Sequence, residues 1–475
     1  MAASITQGVR SFYGRQYRPR YIQVDIPDDS EDDLSSDEDF NMDNLDTDFH
    51  PNDDEGSSGS EDSTEDETIT DDQSLPSHPQ TQKSSRTNTI KWNKSAKLTQ
   101  RPEADFPERR LTLNQDFLET QSLSNNSSPI SFFRAFMDEN YIKEVAFQTN
   151  LYSTQSSQAS GSRAPPAVTV EEINKALGIL LYMGVVKMPN RRMYWCPSTK
   201  VPLISESMSR NRFERIMSCL HFNDNSSNDG TQKLFKIQPF LDHVQQRFKG
   251  VVVPETYQCI DEMMVAFKGR HSLKQYMPKK PSKWGYKLWA RAGVSGYVYD
   301  FEVCGGGPKG PPSEAEVPKV LGESECVVLR LIQPLAPKQH KIFFDNYFSS
   351  PELLVYLKEQ GHFAVCTIRQ NRLRHCPVMS EKDIKKAGRG SMDQCVDKDN
   401  NVVVCAWQDS RRVLTASNYV GVDPVDECKR YDRKLKQEIT IPRPAIVSIY
   451  NKFMGGVDKA DMMISLYKTK FRCRK

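Results

Sequence analysis

Cys259-Ile260-Asp261-Glu262-Met263-Met264-Val265-Ala266-Phe267 is the stretch that decides how this chain is read. It is a short, mostly apolar run, which marks a strand buried on both faces. A carboxylate sits in its middle, although an unpaired charge inside an apolar strand costs several kcal/mol. Downstream, Tyr286–Ala292 and Tyr297–Cys304 read as two further strands, and Gly293-Val294-Ser295-Gly296 between them is a hairpin signal. A helix is predicted over Val317–Ile332, with Gly322 inside it. A short apolar strand, Lys341–Phe344, then ends at Asp345. Ser350-Pro351 starts a helix that Gly361 stops, and Phe363–Ile368 is the next strand.

The order strand, strand, strand, helix, strand, helix, strand makes the fold class α/β, with a ribonuclease-H-like core over residues 257–370. Residues 371–440 interrupt it. They are basic, turn-rich and partly strand-like, at Val402–Trp407 and Arg412–Thr415, as expected of an inserted β-rich module. Helical pattern returns over Ile446–Tyr467, so the core closes with a last helix in 441–475. Upstream, residues 106–256 read as an all-helical domain. Ser128-Pro129 opens a helix whose apolar face includes Phe132, Phe133, Phe136, Ile142 and Val145. Thr169 and Glu172 form a capping box ahead of Ile173, Leu177, Leu180 and Leu181. Two more helices are expected near Asn211–Leu220 and Pro239–Phe248.

Residues 1–105 are expected to be a disordered acidic arm, with too few apolar residues to offset the entropy of ordering them. Between Asp25 and Asp72 there are 22 Asp and Glu and no Lys or Arg, so the net charge of +2 conceals a strongly basic remainder. Such a body suits a polyanion, because lysine and arginine neutralise phosphates and release counterions. The 11 cysteines contain no C-x-x-C pair. No apolar leader and no stretch of 18 uninterrupted apolar residues is present, which argues against a secreted or membrane protein.

Asp261, Asp345 and Asp458 stand where carboxylates from separate elements could converge on metal ions, with Asp461 one helical turn beyond Asp458. Mg²⁺ is hard and prefers such oxygens, and a pair of ions roughly 3.5–4 Å apart cleaves phosphodiesters. Taken alone, Asp345 reads more readily as a strand-end cap or turn residue than as a ligand, and Asp458 after Gly-Gly could simply begin a helix. The eight histidines are scattered, and no Ser-His-Asp set or metal-spaced histidine pair competes.

Three blocks carry a family resemblance. Cys259-Ile260-Asp261-Glu262-Met263, with Phe267-Lys268-Gly269-Arg270 and Lys283-Trp284-Gly285-Tyr286-Lys287, resembles the first catalytic block of piggyBac transposases. Phe344-Asp345-Asn346-Tyr347-Phe348-Ser349-Ser350 resembles the second, and Tyr450-Asn451-Lys452-Phe453-Met454-Gly455-Gly456-Val457-Asp458 the third. Tyr182-Met183-Gly184, Tyr194-Trp195, Leu220-His221-Phe222, Thr367 through Arg372 and Trp407-Gln408-Asp409 follow in consistent order, so the likeness covers about residues 106–475.

The resemblance implies a cut-and-paste DNA transposase or a host-genome derivative. Asp261, Asp345 and Asp458 would hold two Mg²⁺ ions, with Mn²⁺ as substitute and Asp461 in support. It further implies strand cleavage and transfer at TTAA sites, double-stranded DNA and transposon ends as partners, a homodimer, and a nuclear location. No small-molecule substrate is implied. Lys268, Arg270, Lys279, Lys280, Lys283, Lys287, Arg369 and Arg372 would contact DNA phosphates. The family pattern continues into further helices and a cysteine-rich zinc module, whereas the sequence ends at Phe471-Arg472-Cys473-Arg474-Lys475. The alternative reading is a domesticated, truncated DNA-binding protein that does not transpose. A generic ribonuclease-H-like nuclease ranks last, since it leaves the helical domain and the insert unexplained.

Overall fold

The structure is a computed structural model that describes residues 90–120, 127–278, 280–307, 310–312, 317–432 and 435–469. It also describes two short antiparallel strands, Ser11–Phe12 and Arg15–Gln16. The rest of the acidic arm, the final residues and Lys279 lie outside the described residues.

One ten-stranded mixed sheet organises the body. Its strands are β1 (Trp92–Asn93), β2 (Tyr257–Ala266), β3 (Lys274–Tyr276), β4 (Trp284–Gly293), β5 (Val298–Val303), β6 (Lys341–Phe344), β7 (Phe363–Thr367), β8 (Met392–Asp397), β9 (Val402–Gln408) and β10 (Arg412–Ser417). They lie in the order β1-β8-β9-β10-β7-β6-β2-β4-β3, with β5 also paired to β4. At the centre β2, β6 and β7 run parallel, while β4 and β10 flank them antiparallel. Both faces of these strands are apolar, as the continuous runs in the sequence required. Ile260, Ile342, Phe344 and Cys366 point into one cluster, under helices α6 (Glu323–Ile332) and α7 (Pro351–Glu359). Cys259, Phe343 and Val365 point into the other, under α8 (Ala445–Phe453) and α9 (Gly456–Leu466).

The helical part, α1 (Pro129–Phe136), α2 (Glu139–Ser160), α3 (Val170–Val185) and α4 (Arg210–Cys219), builds a separate core around Ile142, Ile173, Phe213 and Ile216. The Thr169/Glu172 capping box forms, and Glu172 also accepts a forked pair of bonds from Arg212 (2.6 and 2.7 Å) that ties α4 to the start of α3. Helix α5 (Gln238–Val251) instead joins the sheet. Its Phe248 meets Phe301 and Tyr297, and Lys249 pairs with Asp300 at 2.8 Å.

Four expectations need correction. Residues 90–105, expected in the arm, lie against the body: β1 pairs with β8, Trp92 donates to the Arg374 carbonyl, and Thr99 exchanges hydrogen bonds with Asn401. Single anchors hold this polar segment, so it carries no periodic apolar signal. The insert is no separate module, because β8, β9 and β10 continue the main sheet through the β7–β10 pairing. Within it, only β11 (Asp426–Asp432) and β12 (Gln437–Arg443) form their own ribbon. Helix α6 starts at Glu323 rather than Val317. Gly322 is its N-cap, and the Gly322 N–H donates to the Glu325 carboxylate at 3.0 Å. The helix expected over Ile446–Tyr467 is broken at Met454-Gly455 into α8 and α9.

Candidate metal and nucleic-acid site

Asp261 and Asp345 are brought together by strand register. Phe344 pairs with Ile260 on parallel β6 and β2, so the next residue of each chain stands beside the other, about 5 Å apart backbone to backbone. Alternation along the strands puts Asp261 on the side of Cys259 and Asp345 on the side of Phe343, the face covered by α8 and α9.

Burial pushes the Asp261 carboxyl up to about 7, and the neighbouring Glu262 and Asp345 charges push the same way. The Glu262 N–H (2.8 Å) and the Lys280 charge oppose the rise. Asp345 is also raised, by burial first and by Glu262, against the Tyr347 N–H that it accepts at 2.8 Å and the charges of Arg369 and Lys287. Two crowded, desolvated carboxylates lacking a direct ion-pair partner among the described residues favour uptake of a proton or a cation.

Helix α9 brings Asp458 towards this pair. Its N-terminus lies flush on the sheet: a Cβ on Gly456 would stand 2.4 Å from the Gly293 carbonyl oxygen and 2.8 Å from the Cys259 sulfur. Only glycine permits that approach. The Asp458 side chain, however, is 70% exposed and pairs with Lys280 at 3.3 Å. Asp461 is half-buried, and its carboxyl is raised by burial and by Asp458, with Lys280 and Lys468 opposing. Lys280 therefore stands among the acids. Among the described residues, no three acidic, histidine or cysteine side chains are gathered closely enough to hold a metal ion.

The basic residues divide into two kinds. Lys268, Arg270, Lys283 and Arg369 are exposed, as are the paired rings of Tyr276 and Trp284. Lys287 and Arg372 are half-buried and make internal contacts. Lys287 pairs with Glu262 at 3.5 Å and lies over the Tyr347 ring. Arg372 donates to the carbonyls of Tyr347 (2.9 Å) and Ser349 (2.8 Å), bracing the loop after Asp345. Arg369 adds a bond to Asn346 at 3.0 Å. Two neighbours of the acids were missed in the sequence. Glu262 alternates out of the Asp261 face yet acts electrostatically on both aspartates. Half-buried Tyr450 on α8 bonds Thr367 and feels both charges, which with desolvation hold its hydroxyl protonated. Tyr450 stands in the third block quoted from the sequence, but nothing local to it marked it as a neighbour of the two aspartates.

The family model "Transposase IS4" matches residues 128–475, and the chain belongs to that family. Its relatives are piggyBac proteins. Human PiggyBac transposable element-derived protein 3 is 35% identical over 353 residues, covering 73% of this chain and 58% of the relative. Human PiggyBac transposable element-derived protein 2 is 32% identical over 354 residues, covering 74% and 58%. This chain thus spans less than two thirds of the length of either human protein. A cryo-EM structure of the piggyBac transposase synaptic complex with hairpin DNA shares the fold, with a TM-score of 0.61 at 21% identity over 77% of this chain and 73% of that one.

Proposed function

We propose that this chain works on double-stranded DNA as a piggyBac-type transposase or a transposase-derived protein. In this reading Asp261, Asp345 and Asp458 hold divalent metal and Asp461 supports them. The observation that carries it is the side-by-side placement of Asp261 and Asp345, with carboxyls raised by burial and mutual repulsion. The order β5-β4-β2-β6-β7, with the last three parallel, supports a ribonuclease-H-like core.

The donors are hard carboxylate oxygens, and they fit Mg²⁺ or Mn²⁺. Asp261 and Asp345 would hold it in place, and Asp458 would join once its side chain leaves Lys280. Bound metal supplies Lewis acidity at a phosphodiester. The protein's own residues do the positioning. Arg372 and Arg369 fix the loop after Asp345, while Lys268, Arg270 and Lys283 offer charge to backbone phosphates. TTAA targets, homodimerisation and nuclear location belong to the same proposal, since such a reaction joins paired ends into chromosomal DNA. Incubation with Mg²⁺ and a TTAA-flanked duplex tests it: nicking is expected from the wild-type chain and is lost in Asp345→Ala. Equal nicking by both would remove the assignment.

The Lys280–Asp458 pair favours a second reading, a DNA-binding derivative that does not transpose, because an ammonium occupies the space where the third acid would meet a metal. Metal-independent DNA binding without nicking would support it.

A further inference from the structure

A cavity of about 290 Å³ opens at the far end of the same central strands, lined by Tyr257, Lys341, Tyr419, Ser448, Ile449, Lys452 and Phe453. Tyr257 and Lys341 are the first residues of β2 and β6 and pair with each other in register. Asp261 and Asp345 lie four residues further along each chain, roughly 13 Å away.

The chemistry of the cavity is that of an anion site. Tyr257 stacks on Phe453 (3.6 Å between centroids, 5° between planes), giving one rigid aromatic wall. Lys341 lies 5.2–5.6 Å from the rings of Phe106, Tyr257 and Tyr419, and Lys452 lies 4.9 Å from Phe453. Among the described residues neither lysine forms an ion pair, and Asp105 and Glu108 act on Lys341 only from beyond contact distance. A half-buried ammonium held by ring faces alone lacks its counter-charge. The Tyr419 hydroxyl is buried and has no hydrogen-bond partner among the described residues. Ser448 donates to Asp426 at 2.7 Å, and Arg443 holds that carboxylate with two bonds, so its charge is already neutralised.

We infer that this cavity binds a phosphate group, with Lys341 and Lys452 supplying charge. A free phosphate compound and a phosphate of a nucleic-acid strand share the chemistry that the cavity would recognise. The inference does not depend on the metal site.

Calorimetric titration of the full chain with inorganic pyrophosphate, in EDTA to exclude metal-borne binding, tests it. Wild type and Asp345→Ala bind equally. The double variant Lys341→Met/Lys452→Ala binds at least tenfold more weakly, as expected for losing charge-assisted bonds. Lys452→Ala alone, at an exposed position that leaves the fold in place, binds several-fold more weakly. Competition by a single-stranded oligonucleotide identifies the source: displacement assigns the site to a strand, and persistence of pyrophosphate assigns it to a free ligand. No pyrophosphate binding by wild type, or undiminished binding by both variants, overturns the inference.

Discussion

The substitution Asp261→Asn removes a titrating charge while keeping the shape of the side chain. Burial holds the Asp261 carboxyl near 7 in the folded protein, against 3.8 for the free side chain. With the folded value raised, the favourable contribution is fully present below pH 3.8 and is lost as pH rises through 7. At about 1.36 kcal/mol per unit, ionisation of wild type at pH 8 costs up to about 4 kcal/mol, an upper bound because water reaches part of the carboxylate. The amide does not titrate, so the stability difference between variant and wild type should widen steadily from pH 4 to pH 8. For a domain of this size that corresponds to a Tm higher by up to about 5 °C at pH 8. Thermal unfolding in metal-free buffer across that range measures it. Mg²⁺ should narrow the gap by stabilising the wild-type carboxylate alone. A difference that is flat with pH, or an Asp261→Asn variant that melts below wild type at pH 8, would refute the argument that this carboxyl is desolvated and uncompensated.

Two other substitutions probe the surroundings of the acids. Lys280→Met frees Asp458, and because that carboxylate is 70% exposed the pair contributes no more than about 1 kcal/mol. Mn²⁺ affinity should therefore rise by up to about fivefold, and an unchanged or weaker affinity would show that Lys280 does not compete with the ion. Gly456→Ala places a methyl 2.4 Å from the Gly293 carbonyl oxygen and must lift the start of α9. A loss of about 1–3 kcal/mol in denaturant unfolding is expected, together with weaker Mn²⁺ binding. Stability equal to wild type would mean that α9 does not sit flush on the sheet.

The central strands were legible because β2, β6 and β7 are buried on both faces, which leaves near-continuous apolar runs in the sequence. Asp261 and Asp345 were legible for the same reason, as charges set in or against such runs. Strand-forming residues in the insert could be read, but not that β10 pairs with β7, since pairing partners leave no local mark. The break between α8 and α9 was hidden because apolar residues continue on both sides of Gly455-Gly456. Charge alone did not show where the heads of Lys287 and Arg372 go. A basic residue near an acidic site reads as a phosphate contact, whereas here the stems are covered and the heads serve Glu262 and the Tyr347 and Ser349 carbonyls. Trp92 carried no warning that two residues of a polar segment would extend a sheet edge.

In the proposed function, Asp261 and Asp345 form the base of a divalent-metal site. Titrating Mn²⁺ into the protein at pH 8, followed by electron paramagnetic resonance of the free ion, tests it most directly. Saturable binding by wild type that is weakened at least tenfold in both Asp261→Asn and Asp345→Asn is the predicted result. Binding that survives in both variants, or no saturable binding in wild type with DNA present, would contradict it.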